Sequence, residues 1–520
     1  MLALSMNKKR EFKIFLRILV KTILAAGLMA ILTSCGTSPG YNYTISGTVS
    51  GMAGSGLVLQ DNGGDDRTIT ANGAFSFVTA LTSGTVYSIT VKTQPTNPSQ
   101  TCVVSNGSGA INGSPVTNVA VSCTMNSGPV TVDPMGLFAY VSNANTSNIS
   151  GYTIDQTSSS TPGQLTLVGT FGAGTNPTQV TVDPSGKFAY AANTGSNNIS
   201  VYTINTDGSL SASSTTPTVT AGTSPVSVTI YPYTSGTFAS SGEFAYVPNM
   251  TDNTISVYTI KTDGSLTASL TTPTVTAGSW PIAIAVYADP NNKFASAYVA
   301  NMGGGTISVY TINTDGSLTA SPTTPTVTAG TYPVSVTTYT NSSGASFAYV
   351  PNIGSSDISV YAISSTDGSL SPNPGTTVTA GTYPASVTIY TNSSGASFAY
   401  VSNMGSSNIS VYAISSTDGS LSPNPGTTVT TGTYPNPVTI YTNSSGTFAY
   451  VSDKNDGIIW VYSIGTSGAL SNIQQMASGG TSLTTVTIDP KGPYAYVSDS
   501  SFGTVYGFII NSDGSLTANP

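Results

Sequence analysis

The chain has 520 residues, of which only 7% are charged and none is histidine. Thirteen Lys and Arg residues stand against 21 Asp and Glu residues, which gives a net charge of −8. This acidic balance excludes a surface that tracks nucleic-acid phosphates, and a hydrophobic content of 38% favours a packed fold over disorder.

The first 34 residues have the order of an export signal, because the basic stretch MNKKREFKIFLR precedes the apolar run ILVKTILAAGLMAIL. The following LTSC, which ends at Cys35, resembles a bacterial lipobox with an acylated cysteine. Lys21 interrupts the apolar run, which argues against the alternative of an uncleaved membrane anchor. We therefore expect a signal peptide at 1–34, a lipidated Cys35 with a tether at 35–42, and export. Gly36, rather than Asp, follows Cys35, which in organisms with an outer membrane resembles the pattern sorted outward and implies anchoring at the outer membrane or cell surface.

Residues 43–124 contain short alternating stretches, such as YTISGTV, GLVLQ and VYSITVK, that are separated by turns rich in glycine and asparagine. This pattern predicts a small antiparallel β-sandwich. It resembles the immunoglobulin-like or prealbumin-like modules of exported bacterial proteins. Cys102 and Cys123 are an isolated pair in this segment, and we expect them to form a disulfide in an oxidising compartment.

Residues 125–520 are dominated by a repeat whose core motif, FAYVSN or FAYVPN followed by ISVYTI, begins eight times at intervals of 46 to 56 residues. This period predicts four-stranded propeller blades. The motif resembles the YVTN repeats of the lactonase-like β-propellers, whose known members usually have seven blades. We expect an all-β chain, with a propeller of about eight four-stranded blades after the sandwich; seven blades is the alternative.

The resemblance implies a fold more strongly than an activity. Enzymes of this family use His, Arg and acidic residues near the channel mouth, whereas this chain has no histidine and its propeller segment has no arginine. We therefore predict no catalytic residues, no metal ligands and no cofactor. A calcium-assisted hydrolase stays open, because Asp and Asn oxygens suit Ca²⁺, but DKNDG at 453–457 lacks the spacing of a calcium loop.

Candidate binding residues lie in the loops that lead from one blade to the next. Four aromatic residues occupy equivalent positions in consecutive repeats, in AGSWP, AGTYP, AGTYP and TGTYP. Flat rings beside amide groups suit a sugar ring. The alternative is that each ring covers a blade edge and each asparagine closes a turn. The predicted ligand-binding set is Trp280, Tyr332, Tyr383 and Tyr434 with Asn301, Asn352 and Asn403.

Two repeats, 328–378 and 379–429, are identical at 46 of 51 positions, which favours a repeated surface over one set of distinct catalytic groups. Duplication of repetitive DNA without selection is the alternative. The sequence therefore predicts a surface-anchored, non-catalytic binding or scaffold propeller. Its expected partners are the membrane, through the lipid anchor, and a polysaccharide or protein. The other hypothesis is an exported lactonase-like hydrolase.

Overall fold

The computed structural model describes residues 42–519 apart from 51, 53–55, 96–100, 125–126, 158–160 and 232–242. The described residues divide into two compact units, which take their residues from Met1–Pro98 with Cys102–Ser122 and from Ser99–Thr101 with Cys123–Pro520. Within the described ranges, no helix is long and apolar enough to cross a membrane. The predicted signal peptide and Cys35 lie outside these ranges.

The first unit contains two four-stranded sheets, ordered β5-β2-β10-β8 and β4-β3-β7-β9, and the two-stranded sheet β1-β6. The strands are β1 (Asn42–Tyr43), β2 (Ile45–Ser50), β3 (Leu57–Asp61), β4 (Asp65–Ile69), β5 (Gly73–Ser76), β6 (Leu81–Thr82), β7 (Val86–Thr93), β8 (Thr101–Ser105), β9 (Ser108–Ala110) and β10 (Val116–Thr124). The expectation of a wholly antiparallel sandwich is wrong at one pair, because β10 runs parallel to β2.

Cys102 on β8 and Cys123 on β10 are both disulfide-bonded, and their strands are neighbours in one sheet. Both cysteines are buried. A covalent link at this point fixes the register of two strands that the chain order separates by β9.

The second unit contains eight antiparallel sheets among its described residues, one for each repeat, with strand positions A to D in chain order. Blade 1 consists of β11 (Thr131–Val132), β12 (Phe138–Asn143), β13 (Asn148–Ile154) and β14 (Leu165–Gly172). Blade 2 consists of β15 (Pro177–Val182), β16 (Phe188–Asn193), β17 (Asn198–Ile204), β18 (Leu210–Ala212) and β19 (Thr218–Thr220). Blade 3 consists of β20 (Thr229–Tyr231), β21 (Glu243–Asn249), β22 (Thr254–Ile260), β23 (Leu266–Ala268) and β24 (Thr274–Thr276). Blade 4 consists of β25 (Pro281–Ala288), β26 (Ala295–Asn301), β27 (Thr306–Ile312), β28 (Leu318–Ala320) and β29 (Thr326–Thr328).

Blade 5 consists of β30 (Thr337–Thr340), β31 (Ser346–Asn352), β32 (Asp357–Ile363) and β33 (Leu370–Thr379). Blade 6 consists of β34 (Pro384–Thr391), β35 (Ser397–Asn403), β36 (Asn408–Ile414) and β37 (Leu421–Thr430). Blade 7 consists of β38 (Thr439–Asn443), β39 (Gly446–Ser452), β40 (Ile458–Ile464) and β41 (Leu470–Ala477). Blade 8 consists of β42 (Thr487–Ile488), β43 (Tyr494–Ser498), β44 (Val505–Ile510) and β45 (Leu516–Asn519). In blades 2 to 4, strand D is split into two short segments that both pair with strand C, so GSLTA supplies only its first part.

Strands B and C are buried on both faces because each blade is packed between two others. Every residue of β31 is buried, for example. Eight core clusters of described residues each join one blade to the next, and the last of them brings Val130 of blade 1 together with Tyr496 of blade 8. The second unit is therefore a closed β-propeller, as the repeat predicts.

One hydrogen bond recurs at all eight seams between blades. The buried tyrosine of strand B donates its hydroxyl proton to the carbonyl of the glycine in the C-to-D turn of the next blade, over 2.8 to 3.0 Å. The pairs are Tyr140–Gly208, Tyr190–Gly264, Tyr246–Gly316, Tyr298–Gly368, Tyr349–Gly419, Tyr400–Gly468, Tyr450–Gly514 and Tyr496–Gly163. The tyrosine and the turn glycine of the repeat thus supply the donor and the acceptor of the bond that joins neighbouring blades.

Candidate ligand-binding face

The loops from D to A and from B to C meet at one end of the propeller. In blades 4 to 6, the first residue after the B-strand asparagine donates its backbone N–H to the carbonyl of an aromatic residue in the D-to-A loop, as Met302 does to Trp280 over 2.9 Å. The same bond joins Ile353 to Tyr332 over 3.0 Å and Met404 to Tyr383 over 2.9 Å. These loops define the candidate face.

The four predicted aromatic side chains lie on this face in blades 4 to 7, and we call them the aromatic arc. Large parts of their surface are open to solvent. The exposed fractions are 51% for Trp280, 43% for Tyr332, 49% for Tyr383 and 43% for Tyr434. Exposure of this kind at four equivalent positions is what a contact surface needs.

All four members of the aromatic arc have left-handed backbone conformations, with φ between 54° and 57°. Such angles are costly for bulky side chains and suit Asn and Gly better. The equivalent residues of blades 2 and 3 are Asn176 and Ser224, with φ of 53° and 57°. The loop therefore accepts small polar residues, and blades 4 to 7 carry aromatic rings against the backbone preference.

Each ring in blades 4 to 6 rests on a glycine of its own B-to-C loop. A Cβ atom at Gly354 would lie 2.7 Å from Cδ2 of Tyr332, and one at Gly405 would lie 2.7 Å from Cδ2 of Tyr383. At Gly303 the corresponding distance to Cδ2 of Trp280 is 3.0 Å. The glycine backbone thus supports the ring at close range and leaves much of it exposed.

The predicted ligand contacts of Asn301, Asn352 and Asn403 are not supported, because these side chains are fully buried. The amide of Asn301 donates to Thr306 Oγ1 over 3.1 Å and to Ser308 Oγ over 2.9 Å, and its oxygen accepts the Gly278 N–H over 3.0 Å. Asn352 and Asn403 donate in the same way within their own blades. Asn301 thereby links the two loops, whereas the buried side-chain oxygens of Asn352 and Asn403 have no hydrogen-bond partner among the described residues. None of the three side chains has surface open to a ligand.

Asp453 takes the asparagine position in blade 7, and its surroundings differ. The Trp460 indole N–H and the Gly432 N–H both donate to its Oδ2, whereas no described residue bonds to its buried Oδ1. Burial raises the pKa of Asp453 to about 7. This carboxyl group therefore changes charge near neutral pH.

A pocket opens on the same face between blades 1 and 2, where the aromatic arc is absent. Its volume is about 420 Å³. It lies beside the short 3₁₀ helix Ala144–Thr146 and the loop that enters blade 2. The polar residues that line it are Ser127, Asn145, Asn176, Thr178 and Thr194.

The sequence placed the aromatic arc correctly on one face, since register alone fixes it, but it did not indicate the pocket or the titration of Asp453. Two signals were available in the repeat. Asn176 breaks the later aromatic pattern, and Ile458 replaces the polar residue that partners the asparagine in the earlier blades. In the described part of the chain, no group of three or more His, Cys, Asp or Glu residues could hold a metal ion.

The eight described blades, all of them antiparallel β-sheets, place this protein in the class of β-propellers. Residues 69–230 and 237–519 match the family described as lactonase, 7-bladed β-propeller, so the chain belongs to the lactonase family of β-propellers. The match begins inside the first unit, and the described blades number eight where the family description gives seven.

Similar solved structures include lactonase-type propellers. A putative 6-phosphogluconolactonase from Bacteroides fragilis is 18% identical with a TM-score of 0.45, and the alignment covers 68% of this chain and 94% of that one. The periplasmic gluconolactonase of Pseudomonas aeruginosa is 14% identical with a TM-score of 0.44, over 75% and 94% of the two chains. No curated protein matches the chain.

Proposed function

We propose that this lactonase-family propeller binds ligands made of sugar-like rings at the aromatic arc. The observation that carries the proposal is the backbone conformation of the four aromatic residues. A bulky residue at φ near 57° stores strain, and such strain marks functional positions more often than packing positions. The equivalent Asn176 and Ser224 indicate that the fold itself does not require a ring there.

The chemistry of the arc suits stacking on the apolar face of a sugar. The rings of blades 4 to 6 are supported from below by loop backbone, so little side-chain freedom is lost when a ligand covers their open sides. Repetition in four consecutive blades supports a ligand with repeated units. We extend the proposal to the location: the chain acts outside the cytoplasm, anchored through Cys35. Unchanged membrane fractionation after Cys35→Ser would contradict the anchoring.

The test replaces two rings by the residue that the loop accepts elsewhere. We expect Y332N/Y383N to weaken binding of cellohexaose, maltohexaose or chitohexaose by roughly 5-fold to 150-fold, because each lost stacking contact costs about 0.5 to 1.5 kcal/mol. Thermal stability should stay equal or rise, since Asn tolerates the left-handed conformation. Isothermal titration and thermal unfolding measure the two effects.

The control is S224N, which introduces the same residue, asparagine, at the equivalent position of blade 3, outside the arc. It should leave binding unchanged. Equal binding by Y332N/Y383N and the native protein would mean that the rings serve packing alone.

A second candidate function is hydrolysis of a sugar lactone. Membership of the lactonase family favours it over a non-catalytic role. Beneath the candidate face, burial raises the pKa of Asp453 to about 7, close to what general acid–base catalysis at neutral pH requires. Asp453 is as fully buried as the asparagines at the equivalent positions, so a catalytic role requires the loop above it to open. Turnover of D-glucono-1,5-lactone, with and without calcium, that falls in D453N would establish this activity, and absence of turnover in the native protein would leave the binding function alone.

A further inference from the structure

We propose that the pocket between blades 1 and 2, called here the polar pocket, is a second binding site, and that it takes one neutral polyhydroxylated ring. It shares no residue with the aromatic arc, so it stands whether or not the arc binds ligand. Its volume of about 420 Å³ lies in the range of small-molecule sites.

Two unengaged amides give the polar pocket its chemistry. The side chains of Asn145 and Asn176 are exposed, and no described residue bonds to either carboxamide. Each carboxamide offers two N–H donors and one acceptor oxygen. This combination matches sugar hydroxyl groups, which both donate and accept.

The wall around these amides is already held in place. The Thr194 hydroxyl and the Thr194 N–H both donate to the Asn176 carbonyl over 3.0 Å. The Thr178 hydroxyl donates to the carbonyl of Val226 and lies 3.2 Å from the carbonyl of Ala192, and the Thr178 carbonyl accepts the Ser142 hydroxyl over 3.0 Å. Fixed backbone and free amides together make a preorganised site.

Charge selects against a phosphorylated ring. Among the described residues, no charged side chain lines the polar pocket. In the B-to-C loops and flanking residues of this face, the described acids outnumber the single cation, Lys454. The acids are Asp252, Asp357, Asp453, Asp456 and Asp499. A phosphate dianion would therefore meet repulsion and find no cation within the pocket to pair with.

Asn176 lines the polar pocket at the position where blades 4 to 7 carry an aromatic ring. The backbone conformation is the same, with φ of 53° at Asn176 and 57° at Tyr332. A tyrosine at this position is therefore compatible with the loop, as three sister blades demonstrate. Asn176→Tyr is a natural blocking variant.

The experiment uses the intact protein with Y332N/Y383N as background, so that the arc, which keeps only Trp280 and Tyr434, contributes less. D-glucose is the neutral probe and D-glucose 6-phosphate is its charged match, both followed by saturation-transfer NMR and titration. We expect D-glucose to bind the background protein, N176Y on that background to weaken binding at least 10-fold, and D-glucose 6-phosphate to compete at least 10-fold more weakly than D-glucose.

Ser224→Tyr on the same background is the matched control, because it adds the same ring at the equivalent position of blade 3. It should bind D-glucose as the background does, and thermal unfolding establishes that both tyrosine variants are folded. No D-glucose binding by the background, undiminished binding by N176Y, or equal loss in S224Y would overturn the site. Equal competition by D-glucose 6-phosphate would overturn its preference for neutral rings.

Discussion

Asp453 illustrates how one residue changes a repeated structural position. In blades 1 to 6 an asparagine donates to a polar side chain five residues later and to a serine hydroxyl seven residues later, as Asn403 does to Asn408 and Ser410. Blade 7 has Ile458 and Trp460 at those places. The indole donates a proton and accepts none, so an aspartate fits better than an amide, and its second oxygen is left buried without a described partner.

This environment predicts a pH dependence of stability. Burial raises the pKa of Asp453 to about 7, whereas an Asp in the unfolded chain titrates near about 3.9. Between about pH 4 and pH 7 the folded state keeps a proton that the unfolded chain has lost, so this contribution to stability falls as pH rises through the window. We expect D453N to gain stability relative to the native protein from pH 5 to pH 8, by up to about 1.4 kcal/mol per pH unit inside the window. Chemical denaturation at several pH values measures this difference.

Asp499 is the control at the equivalent position of blade 8. Its two carboxylate oxygens accept backbone N–H groups from Thr481, Ser482, Ser501 and Phe502. An asparagine would lose acceptors there, so D499N should be less stable than the native protein at pH 8. If D453N behaved like D499N at pH 8, the buried-proton explanation would be wrong.

At the scale of the element, the C-to-D turn has two tasks. It reverses the chain, for which Asp-Gly is well suited, and Asp263 stabilises it by accepting the Ser265 N–H over 3.0 Å. The glycine of the turn also contacts side chains of the preceding blade. A Cβ at Gly264 would lie 2.1 Å from Cδ1 of Phe188, and the carbonyl of Gly264 accepts the Tyr190 hydroxyl. The turn is therefore part of the seam.

A pair of glycine substitutions separates these two tasks. Gly264 and Gly344 both have positive φ, 76° and 84°, but a Cβ at Gly344 would have no atom within 4 Å. G344A should cost only the backbone strain, about 1 to 2 kcal/mol. G264A adds overpacking against Phe188 and should cost roughly 2 to 5 kcal/mol in total. Equal losses in the free energy of unfolding for G264A and G344A would mean that the seam accommodates the added methyl group without an overpacking penalty.

Sequence periodicity was sufficient to predict the blades but insufficient to predict the contacts that join one blade to the next. The repeated apolar runs predict strands B and C, and the Asp-Gly turns predict the hairpin from C to D, because both depend on local order. The pairing of Tyr190 with Gly264 depends on which atoms of a neighbouring blade come together, and no period encodes that. The same reason explains the site: register located the aromatic arc, but the polar pocket arises from a gap between two blades whose lining residues share no motif.

At the scale of the whole propeller, closure rests on the same contacts that join interior blades. The Thr487 hydroxyl of blade 8 donates to the Val130 carbonyl of blade 1 over 2.7 Å, and the Ser498 hydroxyl donates to the Gly128 carbonyl. Within the ring, the Thr388 hydroxyl donates to the Val438 carbonyl over 2.8 Å in the same way. The seam between the last and first blades is thus bonded like the others.

A near-isosteric threonine replacement tests that equivalence. T487V and T388V each remove one hydroxyl donor from a strand-A seam, and each should lower the free energy of unfolding by about 0.5 to 1.5 kcal/mol. The two losses should agree within about 0.5 kcal/mol if the ring is closed in solution. A T487V variant with native stability beside a destabilised T388V would indicate an open ring.

The paired tyrosine and glycine make blades interchangeable building blocks. Blades 5 and 6 derive from repeats that differ at only five of 51 positions. In each, the strand-B tyrosine donates to the glycine of the next blade, and the turn glycine accepts from the tyrosine of the preceding blade. Recombination that adds or deletes one whole repeat would leave every remaining tyrosine with a glycine to meet. The number of blades is then limited by the angle between neighbouring blades that a closed ring requires, more than by the contacts at each seam. A gene of this kind can change the number of exposed aromatic rings on this face in single genetic steps.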